Sequence, residues 1–135
     1  LLSRRQRQMC IRDRRKALVK SYLGKTVTMK IDRPIESIHP KHPKLVYPVN
    51  YGYIPNVPGG DGEELDAYLL GVDFPVREYT ARIIGIVHRR NDAEDKLVAA
   101  PEEWSFDQSK ISELVSFQEQ YYESELELLS EFAEN

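Results

Sequence analysis

A single cysteine, Cys10, stands in the 135 residues, so neither an internal disulfide nor a cysteine-built zinc centre can form, which agrees with a reducing compartment. No apolar run approaches the roughly 18 residues of a membrane-spanning helix, and the first residues lack the apolar stretch of a secretory signal. Those absences point to a cytoplasmic protein with no membrane partner. The 7 glycines and 8 prolines are too few for a collagen-like or low-complexity chain. With 41% hydrophobic and 10% aromatic residues, wholesale disorder is excluded as well. No internal repeat is visible, and the length leaves room for one core and a tail rather than two full domains.

An overall excess of one charge is also missing, since the net is −3, yet the charges are unevenly spread. Residues 1–20 carry eight Lys/Arg against Asp13, a balance of +7, while residues 102–135 carry ten Asp/Glu against Lys110, a balance of −9. A basic arm of this kind can meet phosphates, but its simplest reading is a solvated extension. It has no apolar periodicity and gives way abruptly to patterned sequence near Tyr22. Residues 1–20 are therefore expected to be a disordered or non-native extension, such as a fusion scar or sequencing artefact leaves, and residues 21–135 the folded domain.

Within that domain Thr26–Ile31, Lys44–Tyr47, Asp66–Gly71, Thr80–His88 and Lys96–Ala100 read as strands, the fourth nearly all apolar and central. Pro34, Pro40, Pro43 and Pro48 keep helices out of the interval they span, and 56–62 is dense turn chemistry. Downstream, Ile111, Leu114, Val115, Tyr121, Tyr122, Leu126, Leu129 and Phe132 recur at three- and four-residue steps, the spacing of an amphipathic helix. Ser105 to Gln108 fits a capping box, and Asp107 or Ser109 is an equally fair N-cap. The expected fold is mainly β with a C-terminal helix, its five short strands forming a small barrel or curled sheet.

The acids carry the most chemical information. Asp61, Glu63, Glu64 and Asp66 fall within six residues, and Asp92, Glu94 and Asp95 lie in the turn before the last strand. Two like charges 4 Å apart repel by about 4 kcal/mol at an effective dielectric near 20, so such clustering calls for a counter-charge. A hard divalent cation such as Mg²⁺, which takes oxygen ligands, supplies one. Each cluster alone also fits an exposed acidic turn. Tyr47, Tyr51 and Tyr53 in YPVNYGYIP are a second unusual stretch. They fit either a half-buried strand edge or hydroxyl donors, Tyr51 or Tyr53, beside the acidic rim.

YPVNYGYIP, followed by DGEELD and later by EDKLV, resembles the soluble inorganic pyrophosphatases of family I, with the likeness running from about Thr26 to Tyr122. The resemblance implies an OB-like five-stranded barrel, Mg²⁺ as cofactor, and cytoplasmic hydrolysis of pyrophosphate to two phosphates. It places Asp61, Asp66, Asp92 and Asp95 as metal ligands, with Glu94 as a substitute for Asp95. Glu63 stands where the family has an Asp that helps deprotonate the attacking water; Tyr51 and Lys96 match an active-site tyrosine and a phosphate-binding lysine. Tyr121 matches a second family tyrosine, while Tyr122 replaces the lysine that normally follows.

The family's Lys-x-Glu pair and hairpin arginine have no convincing counterpart. Arg33, Lys41 and Lys44 are the expected substrate-binding replacements; His39 and His42 in the same Pro-broken loop read as surface residues that add positive charge if needed. Two histidines alone do not complete a zinc shell. His88 and Arg89 read as structural. The expected enzyme is an inorganic diphosphatase with surface left for self-association. The alternatives are a weakened relative binding phosphate or nucleotide, and an OB-type nucleic-acid module, which the carboxylates of the rim disfavour.

Overall fold

The computed structural model describes residues 3, 17–58, 64–89, 95–104 and 107–129. Six strands, β1 (Thr26–Arg33), β2 (Asn50–Pro58), β3 (Glu64–Leu69), β4 (Glu78–Arg89), β5 (Lys96–Ala100) and β6 (Ser124–Leu128), accompany one long helix, α1 (Gln108–Glu119). The sheet runs β1-β2-β3-β5-β4-β6, and a further pairing of β1 with β4 closes its first five strands into a barrel. Only β3 and β5 run parallel; the other pairs are antiparallel. Among the described residues, no helix is long and apolar enough to cross a membrane.

Alternation builds the barrel. In β1, Met29 and Ile31 are buried while Thr28, Lys30 and Asp32, which alternate with them, are exposed, the period of two that a strand with one covered face requires. The inward set, which includes Met29, Ile31, Leu65, Ala67, Ile83 and Leu97, fills the barrel, and Val19 from helical residues 17–21 joins it. A second cluster lies outside, where Tyr47, Tyr51, Tyr68, Ile84 and Val98 are covered by Ile111 and Val115 of α1. The apolar run of β4 is buried on both faces because it serves both clusters, and a register shift between Ile83 and Gly85 switches their alternation.

Strand crossing is tightest at Gly52. A Cβ there would lie 1.8 Å from the Lys30 carbonyl oxygen and 2.8 Å from Ile31 Cα, so the β1 backbone occupies the space of a side chain. Gly52→Ala is expected to destabilise the chain by more than about 3 kcal/mol, among the larger effects of single substitutions, readable as a lower urea midpoint. An unchanged midpoint would mean that the two strands separate without cost.

Two expectations need correction. Lys44–Tyr47 is not a strand: only an isolated bridge, Ile38 with Val46, forms there. Pro40, Pro43 and Pro48 have no N–H to donate to a ladder. The segment instead folds back on itself through Tyr47 N to Ser37 O (2.9 Å), His39 N to Leu45 O (2.9 Å) and Glu36 N to Tyr47 O (2.7 Å). The second barrel strand lies just beyond, in β2. The expected helix also stops at Glu119, because residues 124–128 form β6. β1 pairs with β4 only over Glu78–Arg82, which leaves the edge at Gly85–Arg89 for β6. Leu126 and Leu128 alternating with Glu125 and Glu127 suit that edge, and its backbone groups need partners. At the other end of α1, Asp107 is the N-cap, its Oδ1 accepting from Lys110 N at 2.8 Å.

Candidate active site

Register brings the chemistry together. Lys30 of β1 lies opposite Tyr53 of β2, which lies opposite Asp66 of β3. The parallel pairing of Ala67 with Leu97 sets Asp66 alongside Lys96 of β5. Asp66 Oδ2 accepts from Lys96 Nζ at 2.7 Å and from the Tyr51 hydroxyl at 2.8 Å. The lysine side chain is 4% exposed and the aspartate 28%, so the pair spans the boundary between core and solvent. Burial, reinforced by the Asp66 and Tyr68 oxygens, pushes the Tyr51 phenol well above its ordinary range. It is therefore a proton donor throughout the neutral range.

Asn50 locks the approach to Tyr51. Fully buried, it accepts from Ile35 N at 2.9 Å and donates to the carbonyls of Val72 and Phe74, both at 3.1 Å. These bonds tie the start of β2 to the proline-rich segment and to the β3–β4 connection. On the exposed face of β1, loss of solvation raises the Asp32 carboxyl; Arg33 opposes the shift and Asp66 adds to it.

Beyond Asp66 the hydroxyls continue toward α1. Gln118 Nε2 donates to the Tyr68 hydroxyl at 3.0 Å, and Tyr68 in turn donates to Glu119 Oε2. Glu119 also receives Arg89 through Nε to Oε1 at 3.0 Å and Nη2 to Oε2 at 2.7 Å. Burial alone would lower the Arg89 pKa, but the hydrogen bond and charge of Glu119 outweigh it and hold it above the usual arginine value. The guanidinium stacks 3.8 Å from the Tyr122 ring centre. Tyr122, with Tyr121, His39, His42, Lys44 and Gln118, borders a cavity of about 510 Å³.

Of the expected site residues, Asp66, Tyr51 and Lys96 meet directly. Lys44 and Tyr121 border the cavity, and Arg33 reaches the Tyr47 hydroxyl at 3.4 Å. Lys41 is exposed, its backbone N–H bonded to His39 Nδ1 at 3.0 Å. Asp95 turns away from Lys96's partner: its Oδ2 lies 3.0 Å from His88 Nδ1, whose Nε2 lies 2.8 Å from Glu127 Oε1. Asp61, Glu63, Asp92 and Glu94 lie outside the described residues. Asp32, Tyr68, Gln118 and Glu119 were missed in the sequence. Glu119 left a signal, an acid at the i+8 position from Ile111 and i+4 from Val115 on the apolar stripe of α1. Gln118 left none.

Among the described residues no three His, Cys, Asp or Glu side chains gather closely enough to hold a metal. Asp66 nonetheless fits a hard cation. Its hydrogen bonds go to Oδ2, which leaves Oδ1 as an oxygen donor on a partly exposed carboxylate.

The family model described as inorganic pyrophosphatase matches residues 18–133. The chain belongs to that family. An inorganic pyrophosphatase of Helicobacter pylori is 37% identical over 59 residues, 41% of this chain and 34% of its own. Inorganic pyrophosphatase 1 of Pseudomonas syringae pv. tomato is 33% identical over 99 residues, 67% of this chain and 53% of its own. The chain thus spans about a third to a half of these curated relatives. Among solved structures, inorganic pyrophosphatase from Ehrlichia chaffeensis superposes with a TM-score of 0.63 at 21% identity, covering 80% of this chain and 88% of that one. The Helicobacter pylori enzyme gives 0.56 at 19% identity, covering 79% and 86%. These likenesses support the OB-like barrel expected from the sequence.

Proposed function

We propose that this protein is a Mg²⁺-dependent inorganic diphosphatase that hydrolyses pyrophosphate to two phosphates. The observation that carries the reading is the Tyr51–Asp66–Lys96 cluster, built on three barrel strands of a family member and left open to solvent at the carboxylate. Asp66, with Asp61 and Asp92 as further candidates, would hold the metal; Asp95, whose carboxylate faces His88, is left out of that set. Magnesium there would neutralise the substrate's charge and make a water acidic enough to react.

The chain's own residues do the rest. Lys96 neutralises and orients Asp66, and Tyr51 fixes Oδ2 so that Oδ1 keeps one direction. Glu63 takes a proton from the attacking water. The water oxygen bonds to one phosphorus as the bridging P–O bond breaks, and the second phosphate leaves toward Lys44 and Tyr121 at the cavity and Arg33 beside Tyr47. Preorganised positive charge and donors at that point stabilise the transition state. Lys41 adds to the field that draws in the anion.

The buried rings weigh against the nucleic-acid alternative. Tyr51 and Tyr68 are 7% and 0% exposed, so they present no face on which a base could stack.

Phosphate release from pyrophosphate tests the proposal. It is expected with millimolar Mg²⁺, and it should vanish with excess chelator and return when Mg²⁺ is restored. Release that persists under chelation would remove the metal from the proposal, and no release under any divalent cation would remove the activity.

A further inference from the structure

The cavity of about 510 Å³ is larger than a bare pyrophosphate ion requires, and its lining is of a different kind. Four rings border it, those of His39, His42, Tyr121 and Tyr122, and among its described lining residues Lys44 is the one fixed charge. A small ion that is all charge gains from cations and from a metal, and it offers nothing to four rings. A cavity of this size, lined by rings with a few polar groups, suits a small organic ligand.

The rings are held in place. His39 stacks on the buried Tyr47, with 6.0 Å between centres and 8° between planes, and His42 lies tilted 4.8 Å from His39. Loss of solvation, with Arg33, His42 and Lys41 nearby, holds His39 below its ordinary pKa, so at neutral pH it offers a ring rather than a charge. Just after α1, the Arg89 guanidinium covers one face of Tyr122 at 3.8 Å. Tyr122 is 37% exposed and Tyr121 69%, so both have surface left for a ligand, unlike the buried Tyr51 and Tyr68. Tyr122 stands where the family has a lysine, so at this place a ring replaces a cation.

The Tyr47 ring lies 5.7 Å from that of Tyr51 and 6.0 Å from that of His39, so His39 stands within about 12 Å of the Tyr51 ring, a reach for a ribose and one phosphate. We infer that the cavity holds the nucleobase of a nucleoside 5′-diphosphate whose terminal phosphate lies at the Tyr51–Asp66–Lys96 cluster, which makes nucleoside diphosphates a second substrate class. A water oxygen bonds to the terminal phosphorus and the bridging P–O bond breaks. The nucleoside monophosphate leaves with the bridging oxygen, and one proton is released to solvent. The hydrolysis rests on the pyrophosphatase reading; the binding of the base does not.

The test compares two ligands that resist hydrolysis, adenosine 5′-(α,β-methylene)diphosphate and methylenediphosphonate, by titration calorimetry with Mg²⁺, alongside phosphate release from ADP and from pyrophosphate. The nucleotide analogue should bind at least about tenfold more tightly than methylenediphosphonate, the scale of stacking one base. His42→Ala and Tyr122→Leu should each weaken the nucleotide at least about fivefold and shift methylenediphosphonate less than about threefold. His42→Phe and Tyr122→Phe, which keep a ring, should retain the nucleotide. Equal affinity for the two analogues, or an advantage that survives both ring removals, would overturn the inference, as would a chain that hydrolyses pyrophosphate but not ADP. Hydrolysis of neither would overturn the pyrophosphatase reading instead, and the two affinities would still decide what the cavity holds.

Discussion

Asp66→Asn should lower kcat for pyrophosphate by at least about 10²-fold, the scale of loss when a reacting group is misplaced by about an ångström. The substitution keeps size and shape but removes a full negative charge from the meeting point of Tyr51 and Lys96. If the amide oxygen takes the Oδ2 position, both donors are retained and a neutral NH₂ points outward, where a metal cannot bind it. If the amide turns over, its NH₂ faces the Lys96 ammonium and the Tyr51 hydroxyl, donor against donor. Either orientation disables the site. Lys96, 4% exposed at its side chain, also loses the charge of Asp66. A fully buried broken pair costs roughly 3–5 kcal/mol, but Asp66 is 28% exposed and water screens it, so the loss of stability should be well below that range. Steady-state phosphate release together with a thermal melt separates the two effects. Lys96→Met and the double substitution complete a cycle in which the pair shows as non-additivity. Full activity of Asp66→Asn would place the chemistry elsewhere on the barrel.

The part of this site legible in the sequence is the part carried by local order along strands. Tyr51 lies in the alternating tyrosines of YPVNYGYIP, and Asp66 and Lys96 each open a short apolar run that reads as a strand. Their meeting needed the parallel pairing of β3 with β5, a relation between segments that no local window contains. The barrel was likewise accessible, since four of the five expected strands overlap those observed and the second was displaced into β2. The expected C-terminal helix failed at Glu119 for a similar reason. Leu126 and Leu129 satisfy a helical step, Leu126 and Leu128 satisfy a strand, and the uncovered edge of β4 decides between them. Asp95 shows the limit of carrying a motif across position by position. It neighbours Lys96 in sequence, yet successive residues of extended chain face opposite ways, and its carboxylate meets His88 rather than Asp66.

Glu119→Ala should cause the largest loss of stability in the molecule outside the barrel core. The carboxylate receives two bonds from Arg89 and one from Tyr68, and the side chains of Arg89 and Glu119 are 3% and 5% exposed. Removing it takes two hydrogen bonds and a negative charge from a buried guanidinium that cannot escape by deprotonation, because arginine stays charged at any accessible pH. The Tyr68 hydroxyl loses its acceptor at the same time. The expected cost is about 3–5 kcal/mol, a large share of the 5–15 kcal/mol that typically holds a domain together. For a chain of this length that corresponds to a drop in Tm on the order of 15 °C. Glu119→Gln should fall between, since it keeps an acceptor and loses the charge. The paired change Arg89→Met with Glu119→Leu should melt above Glu119→Ala, because it removes the buried guanidinium together with the carboxylate that faces it. If Glu119→Ala melted within two or three degrees of the unaltered protein, the Arg89–Glu119 pair would not be what holds β4 to α1.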